Sequence, residues 1–222
     1  MSTTLPLFPL GSVLFPGLVL PLHIFEERYR RLVADLLDGP EPQEFGVIAI
    51  RQGRETGIDG VSALYDTGCT AVLRQVEAYE DGRFDLITVG ARRFTLIGLG
   101  DAAPYFSGEV EFLPDEVGEA AEAALVVPAV QQSFRSYLDL LAERGGAQIT
   151  IPDVPAEPLL LSYLVAAAVV ADVPVKQQLL AEPDAHRRLV AERRLLTREM
   201  QMLRSLTATP APDLRYSPYS QN

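Results

Sequence analysis

Residues 5–22, LPLFPLGSVLFPGLVLPL, run for eighteen positions without a charged side chain. Hydropathy alone would assign such a run to a membrane span, yet it holds Pro6, Pro9, Pro16 and Pro21 together with Gly11 and Gly17. Each proline removes a backbone donor and blocks helix propagation, which argues against one continuous spanning helix. The pattern predicts short extended pieces joined by tight turns. No Lys or Arg precedes Arg28 and no small-residue cleavage site is evident, so the stretch is not expected to act as a signal peptide. Most of its apolar positions are expected to pack.

A chain of 222 residues buries on the order of 70% of its unfolded surface, enough for one large domain or two small ones without a disulfide or metal. Nineteen basic and thirty acidic residues leave a net charge of −11, which repels phosphate backbones and anionic membranes. Lys176 is the single lysine among the basic residues, and no GxxxxGK[ST] phosphate loop is present. The single Cys69 excludes an internal disulfide framework and suits a reducing cytoplasm. In GCTAVL it reads as a buried thiol. The second uncharged run, residues 159–171, is too short to span a bilayer. A soluble, cytoplasmic protein with no membrane contact is expected.

Phe25, Tyr29, Leu32, Val33 and Leu36 recur at helical spacing and predict a short helix over 25–37, stopped by Gly39 and Pro40. Its start lacks a capping side chain, and Glu27 and Arg31 are spaced for an exposed i,i+4 pair. FGVIAI at 45–50 reads as a strand buried on both faces, and RQGRETGIDG at 51–60 as a mobile loop. GCTAVLRQVEAYE and RFDLITV flank Asp81-Gly82, a strong hairpin signal, and residues 92–99 continue the meander. In 106–112, Phe106, Val110 and Phe112 alternate with Ser107, Glu109 and Glu111. Residues 1–113 therefore predict a mostly antiparallel sheet, closed or folded on itself, with one inserted helix.

The character changes at 113–115. One helix is marked by Val130, Phe134, Tyr137, Leu138 and Leu141, with Pro128 starting or kinking it and Gly145-Gly146 ending it. The next, over 157–170, is apolar on every side, which predicts the central, buried member of a bundle. VKQQLLAE reads as a short amphipathic turn. The last helix, 183–206, sets Leu189, Leu196, Met200 and Leu203 on one stripe and Arg187, Arg188, Arg194, Arg198 and Arg204 mostly elsewhere. Residues 208–222 form a proline-rich polar tail, expected to be disordered. There is no internal repeat, and the class is α+β.

Chemistry-bearing constellations are scarce. His23 stands near Glu26 and Glu27, but no HExxH or second His completes a zinc set, so it reads as a hydrogen-bonded structural residue. His186 lies on a charged helix with no GxSxG elbow to serve, and Lys176 has only Ser162 as a nearby serine. Most of the arginine runs are interleaved with glutamates, as on solvated helix faces, which disfavours nucleic-acid binding. No catalytic set and no cofactor or metal site emerges, and the chain reads as a non-enzyme.

LPLFPLGSVLFPGLVLPLHIFEERYRRLV resembles the opening signature of the Lon protease N-terminal substrate-binding domain, in particular its single-domain bacterial members. GCTAVLRQVEAYEDGRFDLITVGARRFTLIGL is similar to the family's central strand meander, and KQQLLAEPDAHRRLVAERRLLTREMQ resembles its closing segment. The resemblance implies a PUA-like β-barrel (1–113) followed by a C-terminal helical bundle (114–207). It also implies a non-catalytic module that binds unfolded or tagged protein clients, with a separate protease or chaperone as partner and without nucleic acid. Glu27, Arg28 and Arg31 fall where full-length Lon carries charged residues implicated in substrate handling. Single-domain relatives often have proline after the FE pair, where this chain has Glu27. The alternative is a PUA-like RNA-binding protein, which would need a basic patch on the barrel.

Overall fold

The computed structural model describes residues 2–55, 61–100, 104–116, 118, 120–145 and 154–208. The uncharged opening becomes two strands, β1 (Thr3–Leu10) and β2 (Val19–Ile24), with turns between them. Helix α1 (Glu27–Leu37) follows, then β3 (Glu44–Gly53), β4 (Val61–Ala78), β5 (Phe84–Leu99) and β6 (Ser107–Phe112). The helical half comprises α2 (Ala120–Gly145), α3 (Pro158–Ala168), α4 (Val173–Ala181) and α5 (Ala185–Ala208).

The sheet runs β2-β5-β4-β3-β1-β6, and β6 also pairs with β5. All pairings are antiparallel except β1 with β3, where Leu7 to Leu10 run beside residues 46–49. The Asp81-Gly82 turn forms as predicted: the Tyr79 N–H donates to the Arg83 carbonyl at 2.9 Å, and Gly82 sits at φ 81°. Strand lengths differ from the sequence reading. The expected loop at 51–60 gives its first three residues to β3, and its last five lie outside the described residues. Residues 84–99 form one strand instead of two, running through Gly90. There the Gly17 N–H donates to the Gly90 carbonyl and the Gly90 N–H to the Leu18 carbonyl. A Cβ at Gly90 would stand 2.2 Å from the Phe15 carbonyl oxygen, so only glycine admits this approach.

Pro128 lies inside α2, which continues through it. Its missing N–H cannot serve the carbonyl four residues back. Helix α3 starts on Glu157, whose carboxylate accepts from the Leu159 and Leu160 N–H groups at 3.0 and 2.6 Å. It is less enclosed than its all-apolar sequence implied, for Leu160 is 53% exposed. VKQQLLAE is most of a true helix, α4, with Gln177 buried.

One apolar cluster fills the space among the helices, and two serve the sheet. Phe15, from the β1–β2 connection, is fully buried in the helical cluster, with its ring centroid 6.4 Å from that of Tyr163. The sheet and helices are also joined by charge. Arg93 of β5, fully buried, donates to the Leu180 and Glu182 carbonyls at 2.9 and 3.0 Å, to the Pro114 carbonyl at 2.7 Å and to the Asp115 carboxylate at 2.8 Å. Arg188 of α5, equally buried, donates to the Leu179 and Glu182 carbonyls and to Ser162 Oγ, with its guanidinium 4.3 Å from the Tyr163 ring centroid. Carbonyls in the last turn of a helix have no intrahelical donor, and two guanidiniums supply donors to the end of α4. The expectation of solvated arginine faces fails for both residues.

Candidate functional site

Strands β1 and β2 are neighbours in sequence but not in the sheet. The first half of β1 pairs with β6 and its second half with β3, while β2 pairs with β5. Phe8, Pro9 and Leu10 at the end of β1 and residues 21–24 of β2 line a common hollow of about 220 Å³, completed by Phe25, Glu26, Tyr29 and Glu55. Pro21 lies on β2, the edge strand, and Pro9 lies past the point where β1 leaves β6, so each missing donor has an open strand side to face.

Helix α1 forms the floor. Its Tyr29, Leu32 and Val33 enter a core with Phe8, Ile24 and Phe45, and the Phe8 and Tyr29 ring centroids are 4.1 Å apart. The Tyr29 hydroxyl is buried with no hydrogen-bond partner among the described residues, and burial pushes its pKa up to about 12, so it stays a neutral donor. Phe25 is 56% exposed and stacks on the His23 ring at 6.2 Å. His23 is held in turn: its Nδ1 lies 2.5 Å from Asp85 Oδ1, and the Arg83 guanidinium reaches Nε2 at 3.4 Å. Arg83 can only donate, so Nε2 accepts and Nδ1 donates to Asp85. The Tyr79 hydroxyl also donates to Asp85, at 2.6 Å, and these hydrogen bonds lower the Asp85 pKa. The structural reading of His23 therefore holds.

Glu27, Arg28 and Arg31 come together around an adjoining hollow of about 540 Å³ that Pro104 also lines. Their states differ. Arg28 is only 8% exposed: its Nη2 lies 3.1 Å from Glu26 and donates to the Glu55 carbonyl at 3.0 Å, and its guanidinium sits 4.4 Å from the Tyr29 ring centroid. A solvated helix face describes Glu27 and Arg31 but not Arg28. Arg31 pairs with Asp35 at 2.9 Å, not with Glu27 as its spacing suggested. Phe25, expected on the apolar stripe of a helix over 25–37, stands ahead of α1, which begins at Glu27, and is exposed at the rim.

The other sequence-level possibilities separate. Lys176 donates to the Ala167 carbonyl at 2.8 Å, while Ser162 bonds Leu159 and Arg188, so no Ser–Lys pair forms. His186 is partly buried, 3.9 Å from Glu122. No group of three or more metal-ligating side chains is found among the described residues, and none of their helices is long and apolar enough to cross a membrane.

An apolar hollow beside one lined by Glu27, Arg28 and Arg31, on a mixed sheet followed by helices, gives an α+β fold with two neighbouring concave surfaces. The family model described as the ATP-dependent protease La (LON) substrate-binding domain matches residues 4–198, and the chain belongs to that family. It is similar to the crystal structure of a Lon N-terminal domain protein from Xanthomonas campestris, at 26% identity and a TM-score of 0.60, covering 94% of this chain and 99% of that one. The N-terminal domain of Mycobacterium avium complex Lon protease shares the fold, with a TM-score of 0.61 at 17% identity over 88% of this chain and 98% of that one. Among curated relatives, Lon protease 2 of Myxococcus xanthus is 28% identical over 90% of this chain. The Lon protease of Anaeromyxobacter dehalogenans is 27% identical over 92% of it. The chain spans only 24% of either relative's length.

Proposed function

We propose that this chain recognises protein clients by seating an extended apolar segment in the hollow between β1, β2 and α1. The exposure of Phe25 above that hollow carries the reading: a large apolar side chain is held at its rim by His23, itself fixed by Asp85 and Arg83. Apolar pockets with a polar rim bind peptide segments without any titrating residue. Glu27, Arg28 and Arg31 set the charge preference of flanking residues. In this reading residues 1–113 recognise the client and 114–207 brace the recognition half; past Ala208 the tail expected at 208–222 lies outside the described residues. The clients are unfolded or tagged proteins in the cytoplasm, passed to a separate protease or chaperone.

A reduced, unfolded client incubated with the purified protein tests this by light scattering. Wild type is expected to suppress aggregation, and Phe25→Glu, which alters a side chain already in water, to lose most of that effect at an unchanged melting temperature. Equal suppression by the variant would remove the hollow from the account.

A further inference from the structure

Helix α5 is basic on an acidic protein. It carries six arginines and two glutamates, a net +4, so the rest of the chain carries −15 of the total −11. Arg188 and Glu192 are buried, leaving Glu199 as the acidic side chain on its surface, 3.3 Å from Arg198. Arg187, Ala191, Arg194 and Arg198 follow one another at steps of four, three and four, on one face of the helix. With α4 they enclose a groove of about 470 Å³, whose apolar lining includes Val175, Leu179 and Leu195. The Arg187 and Arg198 side chains are 73% and 61% exposed. Glu182 lies at the α4 end, where its carboxylate accepts from the Asp184 N–H at 3.1 Å.

We infer that the α4–α5 groove docks an acidic, amphipathic segment of a protein partner, at a site separate from the client hollow. Three arginines spread over about 16 Å of helix axis match carboxylates along one face of a partner helix. The apolar lining takes that helix's apolar residues, the mode by which grooves bind amphipathic helices. Nucleic acid fits less well. No aromatic side chain lines the groove for base stacking, and the overall charge of −11 opposes a polyanion.

The probe is a fluorescein-labelled synthetic helix of about four turns with leucines on one face and glutamates flanking them, read by anisotropy against the intact protein. Binding is expected to weaken about tenfold in Arg187→Glu/Arg194→Glu/Arg198→Glu and to fall steeply between about 50 and 300 mM NaCl. Ala191→Glu, which sets a carboxylate between the arginines on an exposed position, should act alike, and circular dichroism melts check that both variants fold. Phe25→Glu should leave this binding intact, which separates failure here from failure of the client hollow. Equal binding by the triple variant, or by a scrambled peptide of the same composition, would overturn the inference. So would tighter binding of an RNA oligomer, or a dimer that the arginine substitutions dissociate, since either names a different occupant.

Discussion

At the scale of single residues, the molecule departs most from its sequence pattern at its buried charges. Arg93 and Arg188 belong to RR pairs that read as solvated, yet both are fully buried and together donate to the Leu179, Leu180 and Glu182 carbonyls. Strand alternation could not reveal this, because Arg93 and its neighbour Phe94 are both buried on opposite faces of a curled sheet. Arg93→Met should cost about 3 kcal/mol in urea denaturation, since it orphans several carbonyls and the Asp115 carboxylate. Arg93→Lys should not rescue it, lacking the planar fork. Glu192 is fully buried with both oxygens unpartnered among the described residues, and burial raises its pKa well above the ordinary range, offset only by Arg188. Unfolded, it ionises near about pH 4.3. The neutral form's contribution to stability is complete below that pH and is lost as pH rises towards the folded pKa. Glu192→Gln cannot ionise, so its melting temperature should gain on wild type as pH rises from about 4.5 to 8; a gap independent of pH would contradict the assignment. Cys69, read from sequence as buried, is so, and burial pushes its thiol to about 12. An aromatic disulfide reagent at about pH 8 should leave it unreacted until denaturant is added.

At the scale of elements, local pattern was a good guide to which residues form strands and helices and a poor one to what they meet. Proline spacing marked β1 and β2 as separate extended pieces, and the apolar run at 45–50 marked a strand buried on both faces. The pairing of β2 with the first half of β5 joins residues sixty or more positions apart and leaves no local trace. For the same reason the sequence pointed only to Glu27, Arg28 and Arg31 on the helix, and Phe8, Tyr29 and Glu55 as the lining of the neighbouring hollow left no signal. Gly90 also required the structure, for its role is set by the Phe15 carbonyl from a distant turn. Gly90→Ala should destabilise the protein by roughly 2 kcal/mol or more, as overpacking against backbone does. The same substitution at Gly98, where no atom lies within 4 Å of the added carbon, should be near neutral.

At the scale of the whole molecule, the opening stretch does two things at once. Residues 13–18 send Phe15, Val13 and Leu18 into the helical core, while residues 8–10 and 21–25 line the hollow. Folding the helices onto the sheet therefore fixes the positions of the residues that line the hollow. Photo-crosslinking tests the resulting claim most directly. A benzophenone amino acid replacing Phe25 and, separately, Leu125, which is 81% exposed on α2, gives two apolar probes on one folded protein. The account predicts adducts to an unfolded client from position 25 and none above background from position 125. Equal labelling from both would mean that clients adhere wherever apolar surface is exposed, and that the hollow between β1, β2 and α1 is not a recognition site.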